Sequence, residues 1–316
     1  MGSVSIPTGD IFEILTGGKA SKSSWEVIIL NFRLPKALTA ILVGSGLSIA
    51  GLLMQTLFRN PLAGPFVLGI SSGASLGVAI LILGSSIFGG FLAGLALSSW
   101  SIAIASCMGA AIVLFAVLLT AHKVRNTMSI LIIGLMFGTV TAAVISVLTF
   151  FSDAQQIQQY IFWSFGSLGN LTWNEVLVFS LIFLLGVSGL FTVVKPLNAL
   201  LIGESYAKSL GIELRKSRNI ILIITSLLTG VITAFAGPIA FIGLAVPHFT
   251  KLVFKTSNHK ILIPAVGLLG AIILLVCDII AQLPTSEYTL PINAVTSLFG
   301  APVVIWLLVR KKRVYV

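Results

Sequence analysis

Nine stretches of this chain, at about 37–58, 64–83, 98–120, 128–150, 174–194, 219–236, 238–255, 261–282 and 291–309, are apolar over lengths close to that of a bilayer-spanning helix. Crossing the hydrocarbon core takes ~20 predominantly apolar residues. Only 9% of the 316 residues are charged, against roughly 25% in a soluble domain. So few charges cannot cover a water-soluble globule, and the bulk of the surface must face lipid. The expected fold is an all-α polytopic membrane protein. Arg59-Asn60-Pro61 divides the first pair of spans, and Ala236-Gly237-Pro238 divides the sixth from the seventh. The stretch 84–97 is apolar and glycine-rich, which softens the boundary there.

The basic residues orient the spans. Arg59 follows the first; His122, Lys123 and Arg125 the third; Lys195, Lys208, Arg215, Lys216 and Arg218 the fifth; Lys251, Lys255, His259 and Lys260 the seventh; Arg310, Lys311, Lys312 and Arg313 the ninth. The opposite connections, 84–97, 151–173 and 283–290, contain no Lys or Arg. Short loops rich in Lys and Arg stay in the cytoplasm, so the C-terminus is expected inside. The net charge of +10 is spread between apolar runs, which suits membrane anchoring and gives no nucleic-acid stripe. Nine spans with an inner C-terminus put residues 1–36 outside as an extracytoplasmic segment, ahead of a transmembrane domain over 37–313. The first 32 residues have no charged start followed by an apolar core, so no signal peptide is expected. Either the first long hairpin inserts unaided or, the reading parity favours, a first helix is absent from this sequence. Arg33 and Lys36 then lie outside, against the trend, either as headgroup contacts or as a docking site for an acidic partner.

Small residues crowd three spans: GSGLSIAG (44–51), GISSGASLG (69–77) and GTVTAAVIS (138–146). Such faces let helices approach closely. The second follows Pro61 and Pro65, and glycine that dense weakens a helix, so a broken helix is expected there. Asp278 is the one acid well inside a span; near the outer end of its helix it reads as an interhelical hydrogen-bond partner, with a functional role as the alternative. His248, after Pro247, reads as a packing histidine beside a kink rather than a proton relay. Cys107 and Cys277 lie in apolar runs as packing residues. No phosphate-binding loop, HExxH, nucleophile elbow or metal-ligand spacing is present, so neither a cofactor nor a catalytic site is expected. Secondary transport would need an ion-coupling acid at mid-membrane, and none is evident.

One polar island stands out between spans: LNALLIGESYAKSLGIELRKSRN, Leu197 to Asn219. Gly203 and Gly211 bracket a helix-like piece within it, and Ala207 and Leu210, three apart, would share a face. Two short helices joined at glycines would form a stiff lever under the bundle; a solvated loop is the alternative.

These residues carry a resemblance. Gly203-Glu204-Ser205 with Ala207 and Leu210-Gly211, followed by GPIAFIGLAVPH (237–248), resembles the membrane subunits of binding-protein-dependent ABC importers for ferric siderophores, haem and cobalamin. RLPK (33–36), the block 45–75, WSFGSLGNLTW (163–173) and LPINAVTSLFGAPVVIWLL (290–308) match in order. The resemblance implies a type II ABC importer permease fold of ten helices, matched here from the second onward. It implies a permease dimer in the bacterial cytoplasmic membrane, an ATP-binding-cassette ATPase dimer inside, an extracytoplasmic substrate-binding protein and a metal-chelate substrate. It places ATPase coupling helices at about 198–211, with Gly203, Glu204, Ala207, Leu210 and Gly211 as the matched positions. It assigns receptor docking to Arg33 and Lys36, with Gln282 where a third basic residue is expected, and a cytoplasmic gate to Ser72, Gly73, Thr127 and Met128. The competing readings are an ion-coupled secondary transporter and an integral-membrane enzyme.

Overall fold

The computed structural model describes residues 4–84, 94, 98–124, 127–282 and 289–309. Among them all regular structure is helical: α1 (Thr8–Leu15), α2 (Ser23–Ile28), α3 (Leu34–Leu57), α4 (Ile70–Ile82), α5 (Ser99–Lys123), α6 (Thr127–Phe150), α7 (Ala154–Ser164), α8 (Trp173–Ile202), α9 (Glu204–Ser209), α10 (Leu214–Ala236), α11 (Ile242–Phe254), α12 (His259–Ala281) and α13 (Ile292–Val309). A π turn at Ile29–Arg33 makes α2 and α3 continuous, and a 3-10 turn at Pro65–Leu68 precedes α4. The basic positions Arg125 and Arg310 to Arg313, and most of the 84–97 and 283–290 connections, lie outside the described residues.

Each of the nine expected spans contains a helix, though the nine differ in length. Among the described residues six helices are long and apolar enough to cross a membrane: Ser23–Leu57, Ser99–Ala121, Met128–Phe150, Trp173–Ile202, Leu214–Ala236 and His259–Ala281. Ile70–Ile82, Ile242–Phe254 and Ile292–Trp306 are shorter. The expected spans 64–83 and 238–255 shrink to helices of 13 residues each, about 20 Å of rise against a ~30 Å core. The cause lies in the backbone. Pro61 and Pro65 lack the N–H a helix needs, and α4 starts only after Gly69 turns left-handed at φ 73°. At the second break Gly237 and Phe241 both take positive φ, 75° and 67°, which delays α11 to Ile242.

Non-helical backbone at membrane depth needs partners within the protein. Here the Ser167 N–H donates to the Ala236 carbonyl at 2.9 Å, and the Ala240 N–H donates to Asn293 Oδ1 at 3.0 Å. The outer segment after α7 and the start of α13 thus close the break before α11. Gln55 Nε2 donates to the Leu244 carbonyl at 3.1 Å, and His248 Nε2 meets the Pro61 carbonyl at 2.7 Å. His248 is therefore a satisfied packing histidine.

The core is built around α3. Every residue from Gly46 to Leu57 is buried, as expected of a helix apolar on all sides, and α8, α10, α11 and α12 pack around it. Glycine permits the approach: a Cβ on Gly44 would meet the Gly270 carbonyl, and one on Gly51 the Gly243 carbonyl. The same device brings α4 against α5, where Gly73 faces Gly109 and Gly77 faces Ala105. Such small-residue faces give the van der Waals contact that holds helices together in lipid. Ile112, Phe115, Val140, Leu181 and Phe191 are exposed on the opposite sides of α5, α6 and α8.

Candidate functional site

At 30 residues, α8 is about 45 Å long, so it outruns a ~30 Å hydrocarbon core and its last turns project at the inner face. The projecting end breaks at Gly203, φ 141° and ψ 157°, a conformation essentially reserved for glycine. The short helix α9 follows and stops in a Schellman motif. The Ile212 N–H donates to the Ala207 carbonyl at 3.1 Å and the Gly211 N–H to the Lys208 carbonyl at 2.9 Å, with Gly211 at φ 77°. A left-handed glycine after the cap makes this closure possible. Gly203 and Gly211 thus bracket a helix, as their spacing suggests.

Two expectations change here. Residues 198–202 belong to α8, so the segment 198–211 holds one short helix on the end of a long one, not a pair. Ala207 and Leu210 do not share a face: Ala207 is fully buried, whereas Leu210 is 57% exposed. The helix ends at Ser209 and Leu210 is its cap, at φ −81° and ψ 5°, so the periodicity fails there. The result seats Ala207 on the bundle and presents Ile202, Tyr206 and Leu210 outward beside exposed Glu204. Exposed apolar side chains at the water-facing end of a membrane bundle fit a protein partner.

At the root of α9, Asn198 fastens α12 to α8. Its Oδ1 accepts the His259 N–H at 2.9 Å and lies 2.8 Å from His259 Nδ1; its Nδ2 donates to Asn258 Oδ1 at 3.1 Å. His259 Nε2 meets Thr56 Oγ1, on α3, at 2.9 Å. His259 is fully buried, so it ties three helices together. The sequence reading counted it only as an inner-side charge. The available signal was Asn258-His259 heading an apolar run, a helix cap followed by a residue that cannot be buried without partners.

At the outer face, Lys36 Nζ lies 2.9 Å from Asp278 Oδ1. Gln282 Nε2 donates to Asp278 Oδ2 at 2.6 Å. Asp278 is therefore interhelical, as expected, but through an ion pair. Arg33 takes another direction, donating to the Val4 carbonyl of the N-terminal segment. The two residues assigned to docking by resemblance thus have different environments. Both line one cavity of about 700 Å³ with Phe32, Phe162, Phe165 and Asn170.

Ser72 and Gly73 lie in the first turn of α4. A Cβ on Gly69 would meet the Gly134 carbonyl at 2.6 Å, and one on Gly138 would lie 3.4 Å from Ser72 Oγ. The start of α4 and the helix α6 therefore meet at Gly134 and Gly138. Half-exposed Met128 is near the inner end of α6, about 9 Å of rise before Gly134. Thr127 opens α6, and its side chain lies outside the described residues.

The sequence model of the FecCD transport family matches residues 1–310. The chain belongs to this family. It is 37% identical over 294 residues to the vitamin B12 import system permease protein BtuC of Salmonella paratyphi A, covering 91% of this chain and 85% of that one. It is 36% identical over 297 residues to the BtuC protein of Klebsiella pneumoniae, covering 93% and 86%. Among solved structures, a metal-chelate type ABC transporter in an inward-facing conformation superposes with a TM-score of 0.83 at 29% identity, over 92% of this chain and 90% of that one. PsaBC from Streptococcus pneumoniae shares the fold at a TM-score of 0.59 and 16% identity, over 94% of each chain. This FecCD chain is accordingly a transport subunit with the type II ABC importer permease fold, multi-pass in the inner membrane.

Proposed function

We propose that this chain is the permease subunit of a binding-protein-dependent ABC importer that passes a metal chelate inward, driven by ATP hydrolysed on a separate cytoplasmic subunit. The observation that carries the reading is α9, a short helix clamped by Gly203 and Gly211 at the inner end of α8, with Ala207 seated and Glu204, Tyr206 and Leu210 turned outward. A rigid outward helix transmits a push from an ATPase; a slack loop does not. ATP binding by the ATPase dimer moves α9, and the bundle exchanges one packed arrangement for another, each favoured by a bound partner. A second copy of the chain completes the pathway, and a receptor carrying the chelate docks at the outer mouth around Arg33 and Lys36. Ser72, Gly73 and the inner end of α6, including Thr127 and Met128, form the inner gate. The chelate is cobalamin, a ferric siderophore or haem; the names of the relatives favour cobalamin.

An ion-coupled secondary transporter is the alternative. Asp278, the acid that lies well inside an expected span, is held by Lys36 and Gln282 near the outer end of α12, which leaves it poorly placed to carry ions across. Uptake into vesicles containing the chain, a receptor and its ATPase decides between the two. The importer reading expects transport that needs ATP, survives collapse of proton and sodium gradients, and falls at least tenfold in Leu210→Asp. Uptake without an ATPase that stops when the gradients are collapsed would overturn it.

A further inference from the structure

A cleft of about 320 Å³ opens at the inner face beside α9. Leu57 and Leu200, at the inner ends of α3 and α8, form part of its wall; Glu204 and Lys208 enter from α9, and Arg215 and Arg218 from the start of α10. Three cations thus face one carboxylate. Among the described residues none of the three makes an ion pair. Arg218 shows the shortfall most clearly: its terminal nitrogen donates to the Ala121 carbonyl at 3.0 Å, while its buried Nε has no hydrogen-bond partner. A buried donor without an acceptor is costly. The guanidinium fork matches the paired oxygens of a phosphate.

The position of the cleft narrows the ligand. It lies at the ends of the membrane-spanning helices α3, α5, α8 and α10, on the side the basic loops mark as inner. Two of the helices around it carry exposed apolar side chains one to two turns away: Leu119 on α5 and Ile223 on α10. A basic hollow with apolar surface close by fits a phosphate that carries acyl chains, and the cytoplasmic leaflet supplies anionic lipids to basic residues there.

We infer that this cleft binds the phosphate of an anionic inner-leaflet phospholipid through Lys208, Arg215 and Arg218. Because Lys208 rides on α9 and the arginines on α10, one anion ties the short helix to the bundle. Glu204, within electrostatic reach of Arg218, competes with the phosphate for the same cations. The inference does not depend on which chelate is carried or on what α9 meets.

Native mass spectrometry of the delipidated full chain, resupplied with phosphatidylglycerol or phosphatidylcholine in mixed micelles, tests it. Phosphatidylglycerol is expected to be retained in preference to phosphatidylcholine. Arg215→Gln and Arg218→Gln should each lower its retention about fivefold, the worth of one cation near a membrane surface. Exposed Lys208→Gln carries little risk to folding and should act in the same direction. Lys195→Gln, basic and exposed on α8 but outside the cleft, should change nothing. Equal retention in wild type and all three cleft variants, or an equal loss in Lys195→Gln, overturns the site. Displacement of the lipid by millimolar inorganic phosphate, with no preference between the two lipids, reassigns the cleft to free phosphate and overturns the lipid inference.

Discussion

Lys36 and Asp278 form an ion pair at 2.9 Å across α3 and α12, with side chains only 24% and 10% exposed. A pair so far out of water is more sensitive to the loss of one partner than of both. Asp278→Ala strands a cation and should cost about 1–3 kcal/mol, the lower part of the range for buried pairs because Lys36 keeps some solvent. Lys36→Met combined with Asp278→Leu should recover most of that loss. Thermal unfolding of Lys36→Met, Asp278→Leu and the double variant in one detergent closes the cycle; additive losses would show that the residues are not coupled.

Gly211 holds φ 77° with open space around its Cα, and Gly203 holds φ 141°. Substitution therefore strains the backbone without a clash. Gly211→Ala should cost about 1–2 kcal/mol locally. The spanning helices should keep their thermal stability, while hydrogen exchange across 203–213 rises and transport falls. Unchanged exchange in that segment would show that α9 tolerates the strain.

Gly51 presents the opposite case. Its Cβ would land on the Gly243 carbonyl, backbone against backbone, with no flexible side chain to yield. Gly51→Val should force α3 and α11 apart and cost at least the roughly 1–3 kcal/mol of an overpacked core, read as loss of monodisperse protein. Gly9→Ala on α1 meets nothing within 4 Å and should be neutral or up to about 1 kcal/mol stabilising.

Removing His259 should be felt in three helices. His259→Ala leaves Asn198 Oδ1 and Thr56 Oγ1 with fewer partners and opens a cavity at a fully buried site. A loss of roughly 2–4 kcal/mol is expected. Asn198→Ala should reproduce about half of it, because the His259–Thr56 contact survives. Stability curves for the two variants check the order; a larger loss in Asn198→Ala would shift the weight of the cluster onto the α8–α12 link.

Much of this architecture is legible along the chain. The apolar runs mark the helices, Lys and Arg mark the inner face, and Gly203 with Gly211 marks the limits of α9. The resemblance blocks point to the family before any coordinates do. Leu210 shows where periodicity fails: a three-residue spacing predicts a shared face only while the helix continues, and α9 ends one residue too soon. The lengths of α4 and α11 were hidden for a related reason. Hydropathy reports whether a residue prefers lipid or protein to water, and it cannot tell a helix from apolar backbone satisfied by a distant Asn293 or Gln55.

The sequence by itself determined what the bilayer dictates: which segments are apolar enough to lie within it, and that a polar element stands between α8 and α10. Those are local transfer and backbone preferences, summed over neighbouring residues. Tertiary structure alone decided the partnerships. It paired Lys36 with Asp278, set His259 between Thr56 and Asn198, and gathered Lys208, Arg215 and Arg218 around one cleft. The first two of these partnerships join residues tens to hundreds of positions apart. Their energy depends on the distance and burial that packing imposes, and no window along the chain contains either quantity.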